Sequence, residues 1–344
     1  MLKIGVLGCG KIARVRHIPE YAANKNCELA AFYDPVRTRA EEMAAEYGGK
    51  VYDTPEELLA DPEIGAVSVC AANYAHADLT VKALKAGKHV LCEKPMATSY
   101  DDCEAMLAAA RESGKRLLIG QNQRLAAAHV KARELIRAGH IGNIISFRTV
   151  FGHSGPETWS ITPGKNTWFF DRKRAAMGAM ADLGIHKTDL LRFLIGQDVV
   201  RTTARLATLD KRGEDGSLIS VDDNAICIYE MSGGSMGTMT ASWTFYGAED
   251  NSTVLYGTKG IMRIYDDPLH SIIVKTADGR EEVYDVEAIQ TNDHQTSSGV
   301  IDEFVSAVRE GRPSILDVRS VMNSMKAVFA SIESFEQNTS VAVK

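Results

Sequence analysis

Gly8-Cys9-Gly10-Lys11-Ile12-Ala13 is a G-x-G-x-x-A run placed directly after an apolar, β-branched stretch (Lys3 to Leu7) and at the head of a helical pattern (Lys11 to Ala23). In that position each small residue has a task. Gly8 permits the tight turn, Gly10 lets the backbone approach a pyrophosphate, and Ala13 is small enough for helix and strand to pack closely. The helix that opens at Lys11-Ile12-Ala13 offers N–H groups and a partial positive charge to the phosphates. Asp34 follows a second strand pattern, Cys27 to Tyr33, where its carboxylate would accept the adenosine ribose hydroxyls and repel a 2′-phosphate. NAD is therefore the expected cofactor. NADP is the alternative, because Arg37 and Arg39 stand close by and a guanidinium can attract that phosphate.

Two further places carry chemistry. Lys94 follows a strand pattern (His89 to Cys92) and precedes Pro95, which restricts the loop. Ligands of open α/β sheets bind at such strand ends, and an ammonium there would stabilise developing alkoxide charge. Glu93 is placed to pair with this lysine or position it. Asp182 and His186 lie four residues apart on an apparent helix, hence on one face. Taken alone they read as a capping carboxylate and a core histidine sooner than as a substrate-acting pair, although an imidazole titrates where a hydroxyl proton must be taken.

The elements that must hold these residues alternate from the first residue on. Strand patterns at Lys3–Leu7, Cys27–Tyr33, Val51–Tyr52, Ala66–Ala71, His89–Cys92 and Arg116–Gly120 are separated by helical ones, predicting a parallel, doubly wound Rossmann sheet. After Gln121 the rhythm changes to hairpin-linked strands, predicting an α+β domain with a large, mostly antiparallel open sheet. The expected division is a dinucleotide-binding domain over 1–122 and a substrate-binding and oligomerisation domain over 123–344. A net charge of −6, with Lys and Arg scattered, gives no footprint for nucleic acid or an anionic membrane. No leader pattern opens the chain and no apolar run is long enough to span a bilayer, so a soluble cytoplasmic protein is expected. The six cysteines lack zinc-site or redox spacing, and no metal is expected.

The run Ala83-Leu84-Lys85-Ala86-Gly87-Lys88-His89-Val90-Leu91-Cys92-Glu93-Lys94-Pro95 and the later Met180-Ala181-Asp182-Leu183-Gly184-Ile185-His186, with Asp189 beyond, resemble the Gfo/Idh/MocA family. The resemblance implies oxidation or reduction of a hydroxyl or ketone on a sugar, glycoside or cyclitol, with Lys94, Asp182 and His186 as catalytic trio. It also implies a homodimer or homotetramer built on the open sheet. Asn73, His76, Glu93 and Arg124 are expected to contact the cofactor, and His129 and Trp168 to line the substrate site. Met177-Gly178-Ala179-Met180 departs from the more glycine-rich stretch common before the aspartate. Trp159 and His153, in a polar irregular loop, are not assigned to the site, and His294, Cys227 and Trp243 read as structural. A non-catalytic dinucleotide-sensing regulator and an NADPH-dependent carbonyl or dihydrodiol-type enzyme are the alternatives. The intact trio argues against the first, and Asp34 against the second.

Overall fold

Short apolar runs buried on both faces build the first sheet, whose strands are β1 (Leu2–Leu7), β2 (Cys27–Tyr33), β3 (Lys50–Val51), β4 (Ala66–Val69), β5 (His89–Cys92) and β6 (Leu117–Ile119). They pair in the order β3-β2-β1-β4-β5-β6, every pair parallel. The crossover helices are α1 (Ile18–Ala23), α2 (Arg37–Tyr47), α3 (Pro55–Ala60), α4 (His76–Lys85) and α5 (Tyr100–Ser113). Local chemistry starts two of them: Thr54 Oγ1 accepts the Glu57 N–H and Ser99 Oγ the Asp102 N–H, each at 3.2 Å. The strand order reverses between β1 and β4, so a crevice opens at their carboxyl ends.

The computed structural model describes residues 1–286 and 297–344, and His294 falls outside them. The chain forms two units, Met1–Asn122 with Gln290–Met322, and Gln123–Ile289 with Asn323–Lys344. This differs from an unbroken second domain over 123–344, because α9 (Val300–Glu310) returns to the Rossmann unit. There the buried Glu20 carboxylate accepts the Ser298 N–H at 2.8 Å and its hydroxyl at 2.9 Å, and Asn24 Nδ2 donates to Asp302 at 2.7 Å.

The second unit holds α6 (Ala127–Arg137), the short α7 (Arg172–Ala175), α8 (Ile185–Ile195) and most of α10 (Val318–Gln337). Its nine-stranded sheet runs β14-β13-β12-β11-β7-β10-β9-β8-β15. The strands are β7 (Ile144–Gly152), β8 (Val199–Ala207), β9 (Asn224–Met231), β10 (Met236–Ser242), β11 (Thr253–Gly257), β12 (Gly260–Ile264), β13 (Ile272–Thr276), β14 (Glu281–Tyr284) and β15 (Val341–Ala342). All pairs are antiparallel except β7 with β10. Strand alternation puts Cys227 and Tyr229 inward, where the Tyr229 hydroxyl meets Thr188 Oγ1 at 2.9 Å, and leaves Ile226 and Ile228 exposed outward. No helix among the described residues is long and apolar enough to cross a membrane.

A buried polar thread crosses the Rossmann core. Tyr21 OH lies 2.8 Å from Ser68 Oγ, Ser68 Oγ 3.0 Å from His17 Nδ1, and His17 Nε2 2.8 Å from Glu93 Oε1. Glu93 only accepts, so a neutral His17 carries its proton on Nε2 and takes one from Ser68 on Nδ1. Burial alone would push the Glu93 carboxyl up; the His17 hydrogen bond, then the positive charges of a protonated His17, of Arg16 and of Lys94, overcome it and hold the group at about 2. Its ordinary value is 4.5, so the stability this depression contributes is present above 4.5 and is lost as pH falls towards 2. The amount is on the order of 3 kcal/mol. Glu93→Gln should unfold at lower urea than wild type at pH 7 and show a shallower loss of stability between pH 4.5 and 2; parallel profiles would contradict this.

Candidate active site

In the first unit the glycine turn is built as its sequence requires. Gly8 sits at φ 98°, and a Cβ there would meet Cys70 O and Ala71 N at 2.8 Å. Gly10 differs, since a Cβ on it would meet nothing within 4 Å. The protein itself does not demand glycine at that position, so the bare backbone fits a close-approaching external group such as a pyrophosphate. Lys11 and Ile12 follow in the turn, and Ala13 is fully buried where a π-helical turn, Ala13–His17, leads into α1.

Asp34 is tied to this turn directly. Its Oδ2 accepts the Cys9 N–H and its Oδ1 the Val36 N–H, both at 2.8 Å. Each oxygen keeps a further lone pair for a ribose hydroxyl. The two arginines separate clearly: Arg37 is engaged with Glu41 and Asp53, whereas Arg39 Nη1 lies 3.9 Å from Asp34 Oδ1. Arg39 is thus the guanidinium a 2′-phosphate would meet.

Lys94 stands at the end of β5, its backbone N–H donating to Glu93 Oε2 at 3.0 Å. Glu93 therefore positions the lysine through the main chain. Asn73 opens the turn after β4 and is buried. His76 is buried too, with Nδ1 2.8 Å from Pro95 O and Nε2 3.0 Å from Ala71 O. A neutral ring has one N–H and can donate to one of these carbonyls at a time, and burial lowers its affinity for a second proton. The histidine expected to touch the cofactor is instead a brace between the loops after β4 and β5.

In the second unit a π-helical turn, Met180–Gly184, carries Asp182 and runs into α8, which carries His186. Of the glycine-poor stretch before it, Gly178 is the position that cannot change, because a Cβ would lie 1.8 Å from Asp222 O. Ala176 holds φ 66° without being glycine. Asp182 does not cap the helix. Its Oδ2 accepts the Trp243 indole N–H at 3.1 Å and lies 4.0 Å from His153 Nε2. His153 Nδ1 accepts the Gly155 N–H at 3.0 Å, so a neutral ring keeps its proton on Nε2, towards the carboxylate. His153 and His186 flank Phe151, each ring 5.8 Å from it. Aromatic contacts continue through Trp159 to Phe169, on which Trp168 stacks at 3.9 Å.

Two expected ligands are drawn elsewhere. His129 is fully buried, its Nδ1 2.7 Å from Gln123 O and its ring edge-on to Tyr265; burial, then the charge of Lys187, pushes it down to about 3. It is a neutral core histidine, not a wall of a sugar site. Arg124, expected at the cofactor, grips Asp189 with two nitrogens, Nε at 2.6 Å, while Ser324 Oγ donates to the same carboxylate at 2.7 Å. Trp243 and His153, which no motif marks, are neighbours of the Asp182 carboxylate. The irregular polar loop after β7 is the signal that points to His153; an indole one residue past the end of β10 gives none. Lys187, next to His186, is also buried, donates to Asn251 O at 2.7 Å and is lowered to about 7 by burial.

Residues 2–121 match an oxidoreductase family described by its NAD-binding Rossmann fold, and residues 129–263 match the GFO/IDH/MocA C-terminal domain. The 1,5-anhydro-D-fructose reductase of Ensifer adhaerens is 30% identical over 288 residues, 82% of this chain and 83% of that protein. The myo-inositol 2-dehydrogenase of Thermotoga maritima is 25% identical over 351 residues, 100% of this chain and 99% of its own length. A levoglucosan dehydrogenase solved with NADH and levoglucosan has a TM-score of 0.86 at 22% identity, covering 100% of this chain and 99% of that one, a likeness of fold. Matched in both halves, and at 30% identity to a relative across most of its length, the chain belongs to the Gfo/Idh/MocA family of NAD-binding oxidoreductases.

Proposed function

We propose that the protein is an NAD-dependent dehydrogenase of a secondary hydroxyl on a sugar, glycoside or cyclitol. The observation that carries this reading is Asp182, a carboxylate fixed by Trp243 and faced by His153, with His186 one helical turn away beside an aromatic wall. Carboxylate and imidazole answer hydroxyls, and aromatic faces answer the C–H surface of a pyranose or cyclitol ring. In the same loop the buried Trp159 Nε1, Glu157 Oε2 and Thr167 Oγ1 find no partner among the described residues, as expected where ligand hydroxyls or water complete the bonding.

Bound NAD supplies the hydride acceptor. His186 takes the hydroxyl proton on its imidazole, the Lys94 ammonium steadies the oxygen as charge develops, and Asp182 holds the neighbouring hydroxyl. Gly8, Gly10 and Asp34 hold the pyrophosphate and ribose, with Asn73 beside them. Trp168 lines the ring-binding side. Relatives bearing the names inositol dehydrogenase, glucoside dehydrogenase and levoglucosan dehydrogenase support this substrate class. Homo-oligomerisation through the outward sheet face is supported by exposed Ile226, Ile228, Met236 and Tyr256. Six buried, unbridged thiols fit a cytoplasmic setting.

Purified protein presented with myo-inositol, D-glucose, methyl glucoside and levoglucosan should reduce NAD faster than NADP on at least one of them; no reduction with any polyol would favour the dinucleotide-sensing alternative. His186→Ala should cut turnover by roughly 10²–10⁴-fold while NADH affinity stays within a few-fold. For the cofactor, nicotinamide fluorescence should show NADH bound more tightly than NADPH. Asp34→Ala should narrow that gap by about 10–100-fold, the worth of bonds to a charged acceptor. Equal or tighter NADPH binding by wild type would shift the assignment to the NADPH-dependent alternative, with Arg39 as its phosphate ligand.

A further inference from the structure

The turn that carries Asp182 begins on another carboxylate. Asp222, in the segment leading into β9, accepts the Gly178 N–H on Oδ1 and the Met180 N–H on Oδ2, both at 2.7 Å, while its main-chain oxygen accepts the Ala179 N–H at 2.8 Å. Three successive N–H groups at a helix start, which have no partner within their own helix, are thereby taken up by one residue. The negative charge also suits the positive end of the helix dipole. Glycine at 178 lets the two segments approach this closely.

The next residue repeats the device on another segment. Asp223 accepts the N–H groups of Leu209, Asp210 and Lys211 at 2.8, 2.8 and 2.9 Å. Lys211 then reaches across to Ser154 O at 2.6 Å and pairs with Glu157, in the loop that follows His153. We propose that Asp222 and Asp223 are positioning residues with divided tasks: Asp222 fixes the rotation and height of the turn bearing Asp182 and His186, and Asp223 fixes, through Lys211, the loop bearing His153. Neither touches substrate. The inference rests on the reading of Asp182 and His186 given above.

A bidentate acceptor is essential to the first task. Asparagine has the same shape but presents an N–H₂ to one of the two backbone donors, so Asp222→Asn turns one hydrogen bond into a donor–donor contact without changing volume. A displacement of about 1 Å at a reacting group can cost on the order of 10²-fold in rate. Asp222→Asn should therefore lower kcat about 10–100-fold, with KM for the best-oxidised of the four test polyols and NADH affinity little changed and the melting temperature lowered by about a few degrees for the buried donor left without an acceptor. Asp222→Ser, whose hydroxyl can accept one N–H with its own proton turned away, should recover part of the loss and serves if the Asn variant does not fold. Lys211→Met should show the opposite split, raising KM with kcat nearly intact.

His186→Ala run beside them separates the two levels. If His186→Ala keeps wild-type turnover, the reading of the site itself falls. If His186→Ala is inactive while both Asp222 variants hold kcat within twofold, the positioning role alone is overturned. Losses of NADH affinity as large as the loss of kcat in the Asp222 variants would also overturn it, since a merely structural carboxylate would act in that way.

Discussion

A carboxylate withdrawn from water must be met by donors, and in this protein the donors are main-chain N–H groups of the segments that carry chemistry. Asp34 takes the N–H of Cys9 within the glycine turn. Glu93 takes that of Lys94. Asp222 takes those at the start of the turn bearing Asp182, and Asp223 those of Leu209, Asp210 and Lys211. Except at Glu93, where the bond is 3.0 Å, the lengths of 2.7–2.9 Å are those of charge-assisted hydrogen bonds, which hold backbone more firmly than neutral contacts do. Each carboxylate except Glu93 comes from a different place in the chain than the loop it fixes, so those loops are held by tertiary structure, and Glu93 is itself anchored by His17.

That arrangement places the proposed reacting side chains through the main chain that carries them. Lys94 is placed by its own peptide, whose N–H is held by a carboxylate already locked to His17, Ser68 and Tyr21. Asp182 is placed twice, through the turn below it and through the Trp243 indole at its tip. By contrast, the buried pair of Arg124 and Asp189 joins side chain to side chain. Preorganised backbone of this kind matters because small displacements at a reacting centre are costly in rate.

How much of this was legible in the sequence follows from the range of each interaction. The glycine turn, the parallel sheet and the antiparallel sheet announce themselves through local spacing and periodicity, and Asp34 through its fixed distance from the glycines. Asp182 and His186 share one side of a turn because they are four apart. What decides whether a histidine or arginine faces a ligand or a core is not local. His76, His129 and Arg124 carry residue types that suit a site, yet the loops after β4 and β5, the Gln123 carbonyl and Asp189 claim them. Asp222, Asp223 and Trp243 were silent for the converse reason: their partners lie 42–44, 12–14 and 61 residues away, and no spacing reports such meetings. The return of α9 to the Rossmann unit is a contact of the same long range, made through Glu20 and Ser298.

The most direct test of the account is amide hydrogen exchange on the ligand-free protein at residue resolution. Cys9, Lys94, Gly178 and the run Leu209 to Lys211 lie outside the strands and helices and would ordinarily exchange as loop amides do. Held by ionised carboxylates, their N–H groups should exchange about 10²-fold more slowly than neighbouring loop amides that lack such acceptors. Exchange of these amides at the rate of the surrounding loops would contradict the claim that buried carboxylates hold the site together.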